Sequence, residues 1–348
     1  MSFTNCKIVG VGVVPNAYHS QKAPRGSKEY IMSPSAINAF ARLPSRWVRG
    51  WESPDSPSKD WGSLVDCLFL TPDAFPQRYA IEPGEYPCEP TKRDPRTSRA
   101  WNNNANYCDA WVSEQEAKGL HVVKPSTLER ARAAVARLVE PMDGDDTIAR
   151  WRACCDTQVH VAGEWHDEET GIIVPVQCLL DFVPRVGSEF THCLGDLKCV
   201  RSAHPLIFQR QAEKFGWHRQ AAWDLDLYVA ATGEDRNSWV FLLSENEFPW
   251  EPGRALYSQE ADMGNPGFVE LGRKAEFAGY EYWLALYSKC LKTGRWPGYS
   301  SIGDSVQGWN LLRPEPFQTE RAAYAPRFEL SEDEPEAEEP EEEMEIVP

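Results

Sequence analysis

The stretch THCLGDLKCV, residues 191–200, places a carboxylate and a lysine two positions apart in an apolar, cysteine-rich run. Alternate residues of a β-strand point to the same face, so the side chains of Asp196 and Lys198 are predicted to lie together. Burial of an unpaired charge is unfavourable, and a strand seldom carries two charges on one face without a reason. The pair therefore indicates either a functional site or a buried ion pair.

A second carboxylate is predicted near this pair. Residues 154–167 and 171–184 have the apolar and β-branched composition of strands, and the turn DEETG joins them. Asp181 lies near the end of the second segment. If that strand and the strand of Asp196 are hairpin neighbours, the two carboxylates meet. Mg²⁺ binds one or two carboxylates together with waters and substrate phosphate, so Asp181 and Asp196 are candidate ligands.

Lys198 then has a chemical role beside the metal, because it can orient or help to deprotonate an attacking water. Gln220 and His218, on the helix predicted to follow, can add polar contacts to the same pocket. The alternative of a plain buried ion pair stays open at this point. The short pattern is not specific, since Glu116 and Lys118 repeat it in a predicted surface helix.

The remaining pattern predicts helices before and after these strands. Residues 31–150 have helical spacing, and Ser126 with Glu129 indicates a capping box. After residue 200, a helix over 204–232 broken near Gly216, a strand over 237–247 and a long helix over 265–294 are predicted. The fold class is α/β (α+β), with a central mixed sheet flanked by helices and a helical N-terminal half.

Composition restricts the function classes further. The chain of 348 residues has a net charge of −17, of which the ten acids of residues 331–348 supply most. The apolar runs are too short for a membrane span, and the ten cysteines lack the spacing of a disulfide framework or a zinc ribbon. A cytoplasmic protein is expected. The predicted organisation is an extension at 1–30, one domain at 31–300 (helical to 150), an extension at 301–330 and a disordered acidic tail at 331–348.

Several stretches together resemble a known enzyme family. They are MSPSAINAFARLPSRW (32–47), WGSLVDCLFLTPDAF (61–75), PRTSRAW (95–101), GEWHDEETGIIVPVQCLLDFV (163–183), GDLKC (195–199) and GWHRQAAWDLDLY (216–228). In this order they resemble the PD-(D/E)XK nuclease superfamily, and within it the RecE-like (exodeoxyribonuclease VIII-type) recombination exonucleases of phages and prophages. The resemblance implies a restriction-endonuclease-like core.

The resemblance also implies the roles of individual residues. Asp181, Asp196, Lys198 and Gln220 match the family's nuclease site. Asp66 stands where the family usually has a metal-binding histidine, and Asp224 stands where it has a tyrosine one turn after the glutamine.

The implied activity is degradation of linear double-stranded DNA from its ends, 5′ to 3′, with Mg²⁺ or Mn²⁺, in phage-type homologous recombination in the bacterial host cytosol. A homo-oligomer and a single-strand annealing protein as partner are implied as well. Two other functions remain open: a non-catalytic DNA-binding or partner-binding protein on the same fold, and a structure-specific endonuclease.

The context of other charged residues makes them candidate metal ligands or DNA contacts. Glu164, on the strand before Asp181, is a candidate extra metal ligand, with a solvated strand charge as the alternative. Arginine suits bidentate phosphate binding, which makes the loop arginines candidate DNA contacts. Arg46 comes just before Trp47 and Trp51, two tryptophans that could stack on bases or could simply pack in the core. The DNA-binding candidates are Arg93, Arg96, Arg99, Arg46 and His218.

Overall fold

A computed structural model of the chain describes residues 2–13, 18, 23–51, 56–91, 95–141, 145–258, 260–262, 265–299, 305–306 and 309–310. The chain divides into two compact units, residues 1–298 and 299–348. In the second unit, two short strands, Ser305–Val306 and Trp309–Asn310, pair antiparallel. Among the described residues, no helix has both the length and the apolar character needed to cross a membrane.

The first unit is built around a mixed six-stranded sheet. Its strands are β1 (Ser2–Gly10), β6 (Cys155–Asp167), β7 (Ile172–Pro184), β8 (Cys193–Val200), β9 (Ser238–Glu245) and β10 (Pro252–Tyr257), in that spatial order. The other strands of the unit are β2 (Tyr79–Ile81), β3 (Glu85–Pro87), β4 (Ser98–Ala100), β5 (His121–Val123), β11 (Glu260–Asp262) and β12 (Asn265–Pro266). All neighbours in the large sheet are antiparallel except β8 and β9, which are parallel. The predicted mixed sheet is confirmed.

Helices cover this sheet. They are α1 (Pro34–Arg42), α2 (Pro44–Val48), α3 (Pro57–Leu70), α4 (Phe75–Arg78), α5 (Asn106–Ala117), α6 (Pro125–Val139), α7 (Thr147–Cys154), α8 (Pro205–Phe215), α9 (Trp217–Thr232), α10 (Phe268–Arg273) and α11 (Tyr280–Thr293). The helices α8 and α9 form the crossover that parallel strands require, here between β8 and β9. Gly216, with φ 73°, separates the two helices at the predicted break.

The core consists of two apolar clusters that share the strands of the sheet. Leu194 of β8 packs in one cluster with Phe40 of α1 and Trp223 of α9. Leu197 of the same strand packs in the other with Leu64 of α3 and residues of α6. Because successive strand residues face opposite sides, β8 is held between two helical layers. Asp196 and Lys198 follow Leu194 at alternate positions of β8, so they are on the face of the strand that Leu194 turns to the first cluster.

Three details differ from the sequence expectations. Residues 1–30 were predicted to be an extension, but β1 pairs with β6 as an edge strand of the central sheet. Helix α6 begins with Pro125 and has Lys124 at its N-cap, so the expected capping box does not form. The helix predicted over 265–294 is interrupted, because Ala278 is left-handed (φ 54°) and Gly279 is extended. A Cβ at Gly279 would collide with the backbone of Arg273, which explains glycine at this corner.

Arg236 joins the two strands that carry the carboxylates. Its side chain is 4% exposed, and its guanidinium donates to the carbonyl of Pro184 at the end of β7 (2.8 Å) and to the carbonyl of Thr191 just before β8. Glu234 accepts from the same guanidinium at 2.6 Å. This arginine therefore fixes the ends of β7 and β8 relative to each other.

We expect Arg236→Leu to lower the free energy of unfolding by about 2 kcal/mol, because buried carbonyl groups lose their donor. Urea unfolding followed by tryptophan fluorescence measures the change. Arg254→Leu is the matched control, since Arg254 forms an exposed ion pair with Asp145 and its loss should matter by less than about 0.5 kcal/mol. Equal effects of the two substitutions would contradict the role given to Arg236.

Candidate active site

The central carboxylates lie opposite each other on adjacent strands. The strands β7 and β8 pair through Phe182 and Gly195. Asp181 precedes Phe182 and Asp196 follows Gly195, so the antiparallel register places the two carboxylates face to face. Directly opposed residues of an antiparallel pair have Cα atoms about 4.5–5.5 Å apart. The arrangement required for a shared site is thus present.

Asp181 is held by one backbone group and one side chain. Its Oδ2 accepts from the backbone N–H of Leu197 at 2.9 Å, and its Oδ1 accepts from the Gln158 amide at 2.7 Å. Burial raises the pKa of this carboxyl well above its usual range, and the nearby charges of Asp196 and Asp66 raise it further. The side chain is therefore an acid placed where it is easily neutralised, by a proton or by a cation.

Lys198 is the cation that this cluster contains. Its Nζ lies 2.5 Å from Oδ2 of Asp196 and donates to Oε1 of Gln220 at 3.1 Å. The rings of Trp217 and Phe241 lie 5.4 and 5.9 Å from the same nitrogen. Burial lowers the pKa of the ammonium, but the carboxylates of Asp196, Asp181 and Asp66 outweigh this effect, and the pKa is raised. Lys198 is a positive charge and a hydrogen-bond donor here.

Gln220 connects the lysine to the strand carboxylate. Its Nε2 donates to Oδ1 of Asp196 at 2.9 Å while its Oε1 accepts from Lys198. The two ends of the amide are thus matched to an anion and to a cation. The helix α9 presents Gln220 to β8, as the sequence predicted.

Asp66 belongs to the same electrostatic cluster, although it comes from α3. A Cβ added at Gly62, one turn before it, would lie 3.8 Å from the Cβ of Cys199, so this turn of the helix lies against β8. Burial and, after it, the charge of Asp196 raise the pKa of Asp66 to about 7, against the opposing charges of Lys198 and Arg78. The structure therefore brings together Asp66, Asp181, Asp196, Lys198 and Gln220.

The fit of this cluster to a divalent cation depends on its pair of carboxylates. Among the described residues, no three His, Cys, Asp or Glu side chains converge closely enough to form a complete protein-only metal site. Mg²⁺ does not need one, because it keeps several waters and commonly takes one or two carboxylates. Both oxygens of Asp196 have partners, the Gln220 amide at Oδ1 and the Lys198 ammonium at Oδ2, but the carboxyl groups of Asp66, Asp181 and Asp196 outnumber that one ammonium, and a divalent cation would neutralise the excess. Asp181 and Asp196 therefore fit Mg²⁺, with Asp66 near enough to add charge.

Glu164 does not lie in this cluster. It is six residues along β6 from Gln158, which at about 3.3 Å per residue places it some 20 Å away. Its carboxylate accepts from the Asn5 amide at 2.6 Å across the β1–β6 pair. The expected extra ligand is instead part of the sheet edge.

The candidate DNA-binding residues have different surroundings. Arg93 lies outside the described residues. Arg96 is exposed, and Arg99 is half-buried on β4 opposite Tyr86. Arg46 is exposed and stacks on Trp51, with 3.9 Å from its guanidinium carbon to the ring centroid. Of the three that are described, Arg96, Arg99 and Arg46, none lies in the cluster described above.

Two other DNA-contact expectations meet physical obstacles. Trp47 is 1% exposed and packs against Phe40 and Tyr287, so it fills the core and has no face free for a base. Burial and, to a smaller extent, the positive charge of Arg219 lower the pKa of His218 to about 4. His218 is thus neutral at pH 7 and has no charge to attract phosphate.

Two residues that act on the carboxylates were not predicted from the sequence. Gln158 reaches Asp181 from β6, where its left-handed backbone (φ 53°) interrupts the regular strand. Arg78, 7% exposed, exerts its positive charge on Asp66 from the end of α4. Neither residue stands in a recognisable motif, because both contacts depend on how distant elements pack.

No protein-family model matches this chain, and no curated protein matches it. Among solved structures, the chain is similar to the crystal structure of a proposed exonuclease from Eubacterium rectale, with a TM-score of 0.46 and 16% sequence identity. The similarity covers 90% of this chain and 99% of that chain. At this level of similarity, the assignment of the site rests on its own geometry.

Proposed function

We propose that the protein is a metal-dependent deoxyribonuclease with a PD-(D/E)XK-type site. The observation that carries the proposal is the grouping of Asp181, Asp196, Lys198 and Gln220 at the junction of β7, β8 and α9. Two opposed carboxylates beside a buried ammonium suit a reaction in which negative charge develops on a phosphate. A structural ion pair would need one carboxylate, whereas this cluster gathers three.

Each residue of the cluster has a distinct part in the proposed reaction. Asp181 and Asp196 would hold Mg²⁺, which supplies Lewis-acid stabilisation of the phosphate and a water of lowered pKa. Lys198, kept protonated by the carboxylates, donates a hydrogen bond to the attacking water or to a phosphate oxygen. Gln220 holds the lysine in place through its Oε1. Because Lys198 acts as a hydrogen-bond donor, the proposed reaction does not require it to act as a base.

The finer assignment comes from the motifs of the sequence. Their resemblance to RecE-like enzymes supports an exonuclease that degrades linear double-stranded DNA, 5′ to 3′, and exposes single strands for recombination. A homo-oligomer and a single-strand annealing partner belong to the same proposal. The mildly acidic surface outside the tail means that DNA contacts would be local clusters of arginine.

Linear and closed circular DNA distinguish the possible activities. We expect the purified protein to degrade an end-labelled linear duplex in Mg²⁺, with a covalently closed circle of the same sequence left intact. EDTA should abolish the reaction, because two carboxylates facing one another cannot polarise phosphate on their own. Labels at either 5′ or 3′ ends give the polarity in the same assay.

Each other result has a defined meaning. Cutting of the closed circle would replace the exonuclease with a structure-specific endonuclease. An intact linear duplex in both Mg²⁺ and Mn²⁺, together with measurable DNA binding, would replace the enzyme with a binding protein on the same fold.

A further inference from the structure

We propose that Asp224 is a positioning residue that fixes the amide of Gln220, and through it the ammonium of Lys198. The inference rests on the proposed nuclease function. Asp224 lies one helical turn after Gln220 on α9 and is 1% exposed. Residues four apart on a helix are neighbours, and pairs of Gln with Asp at this spacing form hydrogen bonds.

The contacts of the Gln220 amide show why a further anchor matters. Its Nε2 carries two hydrogens, one of which goes to Asp196 at 2.9 Å. The second hydrogen is left for another acceptor, and one helical turn further along α9 the Oδ1 of Asp224 is a buried acceptor without a hydrogen-bond partner among the described residues. The proposal pairs these two groups, so that the amide would span Asp196, Asp224 and, through Oε1, Lys198.

Two of those three groups, Asp196 and Lys198, take part directly in the proposed reaction. Asp196 would bind the metal, and Lys198 would turn towards water or phosphate, so both exchange partners during turnover. Asp224 is 1% exposed and stands on α9 between Trp223 and Leu225, both of which pack in the first core cluster. It is the partner of Gln220 that does not face the reaction. A carboxyl keeps an acceptor oxygen whether or not it is protonated, so the contact does not depend on its charge.

A buried carboxyl at this position is otherwise unfavourable. Its Oδ1 lies in the core without a hydrogen-bond partner among the described residues, and the side chain faces the negative charge of Asp196. A leucine of similar volume would remove both penalties. Retention of a carboxyl here is explained if its acceptor oxygen holds Gln220.

A double-mutant cycle between Asp224 and Gln220 tests the inference. The variants are Asp224→Leu, which removes the acceptor, Asp224→Asn, which keeps one, Gln220→Leu and the double variant with both leucines. With linear duplex and Mg²⁺, we expect Asp224→Leu to lower kcat about tenfold with KM unchanged, and Asp224→Asn to stay within about twofold of wild type. The double variant should match Gln220→Leu, because Asp224 acts only through that amide.

Asp226→Asn is the matched control on the same helix. Asp226 accepts from Arg273 and Tyr280, each at 2.6 Å, away from the cluster. We expect this change to lower the melting temperature without changing kcat. If Asp224→Leu does not fold, Asp224→Ala enters the same cycle.

Two results would overturn the inference: additive losses of kcat in the cycle, or a loss in Asp224→Asn as large as in Asp224→Leu. If wild type does not cleave DNA, the proposed function fails, and urea unfolding of the same four proteins still tests the contact. Non-additive shifts of the unfolding midpoint would support the Asp224–Gln220 contact on its own, and additive shifts would exclude it.

Discussion

Lys198→Met should lower the rate of DNA hydrolysis by about 10²–10⁴-fold, the range expected when a positioned donor is removed from a transition state. Methionine keeps the unbranched shape of the side chain, so it can pack between Trp217 and Phe241 as the lysine does. The change removes the charge and the donor together. Single-turnover cleavage of an end-labelled linear duplex in Mg²⁺ measures the effect.

Binding of the same duplex provides the internal check on this result. With Ca²⁺ in place of Mg²⁺, we expect Lys198→Met to bind DNA within about threefold of wild type, because one buried ammonium adds little to contacts with the whole duplex. A variant that neither binds nor cleaves would indicate a fold defect instead. Circular dichroism and the melting temperature settle that point.

The chain contains a matched control for this lysine. Glu116 and Lys118 repeat the acid-x-lysine spacing on and just after the exposed helix α5, where Lys118 pairs with Glu114 at 2.7 Å. Lys118→Met should leave cleavage unchanged. Cleavage at the wild-type rate by Lys198→Met would contradict the proposed mechanism.

The second large effect is on stability as a function of pH. We expect the metal-free protein to lose about 2 kcal/mol of unfolding free energy between pH 5 and pH 7. Burial in the folded state raises the pKa of Asp66 to about 7, well above the usual value of an aspartate, so in this range the folded protein holds a proton that the unfolded chain has released. A difference of one bound proton is worth about 1.4 kcal/mol per pH unit, and stability falls as pH rises.

Mg²⁺ should reverse most of this loss at pH 7–8, since a cation neutralises the carboxylates as a proton does. Asp181 and Asp224, whose pKa values are also raised well above the usual range by burial, act in the same direction. Urea unfolding at each pH, with EDTA or with Mg²⁺, measures both effects.

Asp66→Asn removes the carboxyl group whose pKa is raised to about 7. The unfolding free energy of this variant should depend less steeply on pH, and the metal-free protein should be more stable than wild type at pH 8. Asp60→Asn is the control, because Asp60 is an exposed carboxylate in the first turn of the same helix. A pH dependence in Asp66→Asn as steep as in wild type would contradict the position given to Asp66 in the cluster.

The sequence predicted much of the site because strand periodicity and helix spacing are local. Alternation placed Asp196 and Lys198 on one face of β8, and the helical pattern placed Gln220 after the break at Gly216. The cap of α1 is local in the same sense, since the Ser33 hydroxyl accepts from the N–H of Ala36. Each of these features depends on residues a few positions apart.

What the sequence did not reveal depends on packing between distant segments. Glu164 and Asp181 both lie on predicted strands, but only the register of β6 with β7 shows that Gln158, and not Glu164, stands beside Asp181. In the same way, β1 reads as an isolated apolar segment until its partner β6 is known.

The pairing of β1 with β6 also has a consequence during protein synthesis. The two strands are separated by roughly 150 residues, so β1 leaves the ribosome well before its partner exists. At 5–20 residues per second, that interval is roughly 8–30 s. Phe3, which packs against Trp165 and Trp223, lacks both neighbours for at least this time. The packing of β1 against β6 and α9 is therefore completed late in the synthesis of the chain.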